Sequence, residues 1–226
     1  MRALLMGLAV AIAGLALPAK ANQPVAIELV LALDCSASVD ASEYGLQIQG
    51  LAGAFRDPDV LAAVETLKPL GVAVAVLQWG GPGESNVSVP WMHIASARDA
   101  KAFAYLIGLT RRWQHASSTS IATAIRDGAR LLDRNEFEGQ RRVIDISGDG
   151  PDNAGLDLSA LRETALRSGI TINGLAIEGE EPGLGLYYEN RVIGGADAFV
   201  EKARDFEDFA RAIKAKLLRE LRPLQS

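Results

Sequence analysis

Ile27-Glu28-Leu29-Val30-Leu31-Ala32-Leu33 runs straight into Asp34-Cys35-Ser36-Ala37-Ser38. The first seven residues are almost continuously apolar, as in a strand covered on both faces of a parallel sheet. The polar stretch that follows marks the strand's carboxyl end. Asp40 then reads as a helix N-cap, with Glu43 three residues on completing a capping box. Tyr44, Ile48, Leu51 and Phe55 fall on one face of the helix so opened, and Asp57-Pro58 starts a shorter one through Val60, Leu61 and Val64.

The same alternation continues along the chain. Val72 to Gln78, Val143 to Ser147 and Ile170 to Ile177 are further buried runs. Gly80-Gly81-Pro82-Gly83 turns the chain into Val87 to Trp91, where Pro90 fits an antiparallel edge strand better than a central one. Ser96 caps a helix from Ala97 to about Arg111, with Ala102, Tyr105, Leu106 and Leu109 expected inward. Thr119 opens a helix with Ile121, Ala124, Ile125, Ala129 and Leu132 on one face, and Leu158 to Arg167 forms another. Residues 178–195 read as a long loop, Phe199-Val200 as a short last strand, and Phe206, Phe209, Ala210, Ile213, Leu217 and Leu221 as the stripe of a C-terminal helix. Strands alternating with helices imply an α/β fold, a doubly wound parallel sheet with helices on both faces.

Composition narrows the function classes. The chain has 226 residues, 49% hydrophobic and 23% charged, which suits one globular domain and excludes a disordered or fibrous chain. The net charge of −5 offers no basic footprint for nucleic acid or an anionic membrane. A single cysteine excludes an internal disulfide. Met1 to Ala21 reads as a cleavable export signal: Arg2 supplies the positive start, Leu4 to Leu17 an apolar run too short to span a bilayer, and Ala19-Lys20-Ala21 the cleavage site. Cleavage after Ala21 would leave one domain, residues 22–226, of 205 residues with 21 basic and 28 acidic side chains, placed in a periplasm or secreted.

In a doubly wound fold, ligands gather at the carboxyl ends of strands. Three such segments carry oxygen donors: Asp34 with Ser36 and Ser38, Thr119 within Ser117-Ser118-Thr119-Ser120, and Asp149 within Ser147-Gly148-Asp149-Gly150. Two carboxylates and three hydroxyls form an all-oxygen set suited to one hard divalent cation, Mg²⁺ with Mn²⁺ or Ca²⁺ as alternatives. Singly, each segment also reads as a plain strand end, cap or turn. Their joint placement carries the expectation of a metal site made of Asp34, Ser36, Ser38, Thr119 and Asp149.

These residues, with the segments LALDCSASVDASEY, AFRDPDV, VPW, STSI, RRVIDISGDGPDN, GITINGLAI and YYENRVIGG, resemble the von Willebrand factor type A (VWA) domain. Within that superfamily the chain is most similar to exported bacterial VWA-like proteins of the group DUF1194. The resemblance spans about Ile27 to Leu221. It implies a three-layer fold on a six-stranded sheet, mostly parallel with one antiparallel edge strand. It also implies that Ser36, Ser38 and Thr119 ligate the metal of a metal-ion-dependent adhesion site (MIDAS), with Asp34 and Asp149 acting mostly through water. The remaining metal position would take an Asp or Glu carboxylate from a protein partner. One departure is Ser117-Ser118, standing where related sequences often have a glycine pair before the threonine.

His115, Asp152, Tyr187, Tyr188 and Arg191 are candidates for the rim that a partner touches, aromatic and arginine side chains being common interface anchors. Cys35, between two candidate ligands, is expected to point into the core, and Asp145 to pair with Arg141, Arg142 or a neighbouring loop. The glycine-rich turn at 80–83 lacks the phosphate-loop pattern, and no G-x-S-x-G nucleophile elbow occurs. The expected function is a non-enzymatic, exported, cation-dependent protein-binding module of the adhesion or assembly type. Its rivals are a metal-assisted hydrolase, with His115 or Asp152 as base, and a structural or assembly protein with a vestigial metal site.

Overall fold

The computed structural model describes residues 22–113 and 118–223. The expected export signal and His115 lie outside the described residues. A central strand, β1 (Gln23–Asp34), is flanked by β2 (Val72–Trp79) on one side and β4 (Phe137–Gly148) on the other, both parallel to it. The sheet has six strands in the order β3-β2-β1-β4-β5-β6. β3 (Ser85–Ile94) is the antiparallel edge next to β2, as Pro90 suggested, while β5 (Ile170–Ile177) and β6 (Val200–Ala203) continue the parallel array.

The near-continuous apolar runs are explained by two covering layers. Ile27, Leu29, Leu31 and Leu33 of β1 face a core built with α1 (Ala41–Ala54), α2 (Pro58–Thr66), α3 (Ala97–Gly108) and α7 (Phe209–Glu220). Val30 and Ala32 face the opposite core, closed by α4 (Ile121–Asp133), α5 (Leu158–Arg167) and α6 (Leu184–Tyr187). Alternation along one strand thus serves two cores at once. Asp40 caps α1, accepting from the Ser42 and Glu43 amides, while the Glu43 carboxylate accepts from the Asp40 amide at 2.7 Å. Among the described residues no helix is long and apolar enough to cross a membrane.

Three expectations need correction. In α3 the inward face is Ala100, Phe103, Ala104 and Ile107; Ala102, Tyr105, Leu106 and Leu109 are exposed, Tyr105 to 62%. Two apolar stripes overlap in this helix, and the one carrying Phe103 goes inward, where its ring meets Phe55 edge-on at 4.9 Å. The 178–195 segment is not a plain loop: α6 runs into a π-helical turn, Tyr188–Val192, which buries Leu184, Tyr188 and Val192 at a spacing of one helical turn. Asp145 pairs with neither Arg141 nor Arg142. It is fully buried, and its Oδ1 lies 3.0 Å from Nζ of Lys216 on α7. Arg141 instead reaches the end of α7, donating to the carbonyl of Glu220 and to that of Arg222 just beyond the helix.

Candidate metal centre

Parallel strands place their carboxyl ends at one pole of the sheet, so Asp34 of β1 and Gly148-Asp149 after β4 arrive side by side. The loop after Asp34 is held from several directions. The Ser36 amide donates to Asp34 Oδ1 at 2.7 Å, Gln47 Nε2 to the Asp34 carbonyl, and Arg112 Nη2 to the Ser36 carbonyl at 2.8 Å. These bonds, with the Val39 amide donating to the Ser36 carbonyl at 3.1 Å, fix a tight turn at 36–39 that brings the two serine hydroxyls together: Ser36 Oγ lies 3.1 Å from Ser38 Oγ.

Thr119 comes from the turn before α4. Its amide donates to Asn153 Oδ1 at 2.9 Å, and the Asn153 amide returns a bond to the Thr119 carbonyl. Ser120, one residue later than expected, is the helix N-cap and accepts from the Thr123 amide. This pins the Thr119 hydroxyl 3.4 Å from Ser36 Oγ. On the other side, Ser38 Oγ donates to Asp149 Oδ1 at 3.0 Å. All five candidate residues therefore lie in one chain of contacts, Thr119–Ser36–Ser38–Asp149, with Asp34 beneath it.

The electrostatics are unbalanced. Asp34 is fully buried, and its Oδ2 has no hydrogen-bond partner. Burial first, and the nearby Asp149 carboxylate second, push its carboxyl up to about 7, and among the described residues no basic side chain offsets them. Asp149 is also raised, mainly by burial, against a lowering hydrogen bond from Ser38. Two carboxylates crowded together without a counter-charge are costly unless a cation joins them. Among the described residues no group of three or more His, Cys, Asp or Glu side chains is placed to hold a metal. The donors here are two carboxylates and three hydroxyls, a set that fits Mg²⁺ or Mn²⁺ and lacks the nitrogen and sulfur that dominate zinc sites. The unpartnered Asp34 Oδ2 is the feature of this chain that such an ion would satisfy.

Glycine at 148 is required by this crowding. A Cβ there would meet the Tyr188 hydroxyl at 2.7 Å and Asp34 Oδ2 at 2.9 Å. Tyr188 does not reach the rim, contrary to expectation; it is fully buried under the two aspartates, and its hydroxyl has no partner. Its burial follows from the π-helical turn, which the sequence reading missed. Tyr187 is half-buried, and its hydroxyl accepts from the Asp152 amide. Asp152 is tied to α4, its carboxylate accepting from the Ala122 amide at 3.1 Å. Arg191 is exposed. Arg112, absent from the sequence candidates, orients the serine loop; only its place just before the Thr119 turn could have flagged it.

A family model described as protein of unknown function (DUF1194) matches residues 24–225. The chain belongs to that family. Its fold is that of the VWA domain, as solved structures show. Proximal thread matrix protein 1 from the mussel byssus superposes with a TM-score of 0.64 at 15% identity, over 88% of this chain and 48% of that one. A von Willebrand factor type A protein from Catenulispora acidiphila gives 0.59 at 17% identity, over 87% and 43%. The von Willebrand factor domain of the type V pili tip protein Mfa5 from Porphyromonas gingivalis gives 0.61 at 10% identity, over 89% and 98%. This DUF1194 chain thus spans about half the length of the mussel protein. A further structure of that protein, with a TM-score of 0.59, has a zinc-occupied MIDAS motif. At these identities the likeness is one of fold. No curated protein matches the sequence.

Cys35 points as expected. Its thiol is buried against the Trp79 carbonyl, with Sγ 3.2 Å from that oxygen. Burial, reinforced by Asp34, pushes the thiol up to about 12. Thiolate is the reactive form, so the native protein should leave a thiol reagent unconsumed at pH 8 and react fully once unfolded in guanidinium. Fast reaction of the native protein would mean that the loop opens.

Proposed function

We propose that the protein is an exported, divalent-cation-dependent protein-binding module of the adhesion or assembly type. In this reading Ser36, Ser38 and Thr119 hold the cation, Mg²⁺ or Mn²⁺, and Asp34 and Asp149 supply negative charge directly or through water. The observation that carries the reading is the contact chain Thr119–Ser36–Ser38–Asp149, tied through the Ser36 amide to Asp34, whose buried Oδ2 has no hydrogen-bond partner. Neutral hydroxyls leave a bound cation short of negative charge, so an Asp or Glu carboxylate on a partner protein is its natural extra ligand. The VWA fold shared with a pilus tip protein and a byssus matrix protein is consistent with that role. Export rests on the sequence of residues 1–21 alone.

No observation favours hydrolysis. Of its two candidate bases, Asp152 is committed to the amino end of α4, and His115 lies outside the described residues. The test is capture from periplasmic extract on the immobilised protein. Partners retained with Mg²⁺ should be released by EDTA and should not be retained by Asp34→Ala. Equal retention on wild type, EDTA-treated protein and variant would refute cation-dependent binding and favour a vestigial site.

A further inference from the structure

An acidic chain concentrates arginines in one place, at the pole opposite the candidate metal centre. A cleft of about 670 Å³ opens at the amino ends of β4 and β5 beside the last turn of α7, with Arg141, Arg142, Arg219 and Arg222 in its wall. Arg141 and Asp149 are separated by eight strand steps along β4, about 26 Å at 3.3 Å per residue, so the two places are independent.

The positive charge in the cleft is largely uncommitted. Arg142 is paired with Asp133. Arg141 spends one nitrogen on the carbonyls at the end of α7, Arg219 lies 3.9 Å over the Phe199 ring, and none of Arg141, Arg219 and Arg222 has a carboxylate partner among the described residues. Two acids share the wall. Glu220 is engaged by Lys216 at 2.8 Å and by Asn173 at 2.9 Å, and Asp197 stands exposed at the edge with a left-handed φ of 55°. Three guanidiniums without a carboxylate partner among the described residues thus face one exposed carboxylate. Arg141 is half-buried, and the loss of solvent pulls its affinity for its proton down in spite of Glu220 and Asp197. A further anion would offset that loss.

Guanidiniums are planar forks that grip phosphate or carboxylate through paired hydrogen bonds, and stacking on Phe199 pre-sets the Arg219 fork. The cleft's volume is that of a small-molecule site. We propose that it is a second binding site, for an oxyanionic ligand whose phosphate or carboxylate groups are held by Arg141, Arg219 and Arg222. It does not depend on the metal reading.

The test uses metal-free protein prepared on a chelating resin, because EDTA is itself a polycarboxylate. Pyrophosphate and citrate are titrated calorimetrically at constant ionic strength, and phosphatidylglycerol vesicles are offered in a parallel sedimentation assay. Saturable binding is expected, weakened at least ~10-fold in R219A/R222A, a loss of about 1.4 kcal/mol. Both positions are exposed, so this variant should fold. The control R98A/R130A, exposed elsewhere, should bind as wild type does. Sedimentation with vesicles alone, lost in R219A/R222A, would assign the oxyanion to a lipid headgroup. Binding unchanged in R219A/R222A, or no binding of any probe, would overturn the proposal.

Discussion

Lys216→Met is expected to destabilise the protein by about 3–5 kcal/mol, the range found when one partner of a buried ion pair is removed. Lys216 is fully buried between Asp145 on β4 and Glu220 on α7, at 3.0 and 2.8 Å, with Asn173 completing the group. Methionine matches the length of the lysine stem, so the loss isolates charge rather than volume. Without the ammonium, two buried carboxyls face each other, and neither Asp145 oxygen has a hydrogen-bond partner to fall back on. Burial, then repulsion from Glu220, already push the Asp145 carboxyl up to about 8 with Lys216 present. The urea midpoint should fall with the slope unchanged. Adding Asp145→Asn to Lys216→Met should restore part of the loss, since it removes the charge left uncompensated. Failure of the second substitution to help would mean that packing, not charge, made the lysine necessary.

The second large effect concerns Asp34, and its sign depends on the metal. In metal-free protein the Asp34 carboxyl is raised from 3.8 to about 7. A carboxyl that holds its proton more tightly when folded gives stability that is fully present below the unfolded value and is lost as pH rises through the folded one. Metal-free protein should therefore lose stability between about pH 4 and 7, on the order of a few kcal/mol, and level off above. Asp34→Asn keeps an acceptor for the Ser36 amide and removes the buried charge. It should flatten that slope and leave the metal-free protein more stable than wild type at pH 8. Saturating Mg²⁺ should reverse the order, because a ligand at 100 times its dissociation constant stabilises wild type by about 2.7 kcal/mol and the variant hardly at all. Melting curves at pH 5 and pH 8, with and without Mg²⁺, test all four corners. A steep pH slope that survives in Asp34→Asn would place its origin elsewhere, with Asp145 the next candidate.

Much of this architecture was legible in the sequence, for local reasons. Asp40 and Glu43 announce a helix start because capping is decided within four residues. The bounds of Ile170–Ile177 and Leu158–Arg167 are legible because turn and cap residues flank them. The five oxygen-bearing residues were legible because a parallel sheet sends its strand ends to one pole. What stayed hidden was long-range or ambiguous. The Lys216–Asp145 pair links α7 to β4, and no spacing records that contact. α3 has two apolar stripes, and only packing against Phe55 selects the one with Phe103. Glycines and acids around residue 184 masked the buried spacing of Leu184, Tyr188 and Val192, so Tyr188 was placed at the rim instead of under the aspartates.

The central claim is that Asp34, Ser36, Ser38, Thr119 and Asp149 form one divalent-cation site. Its most direct test is Mn²⁺ binding followed by electron paramagnetic resonance, which reads free ion without any partner protein. Wild type should take up one Mn²⁺ per chain, displaceable by Mg²⁺, while Asp34→Ala and Ser36→Ala, checked for folding by circular dichroism, should take up none at the same concentration. Undiminished Mn²⁺ uptake by the two folded variants, or none by wild type, would contradict it.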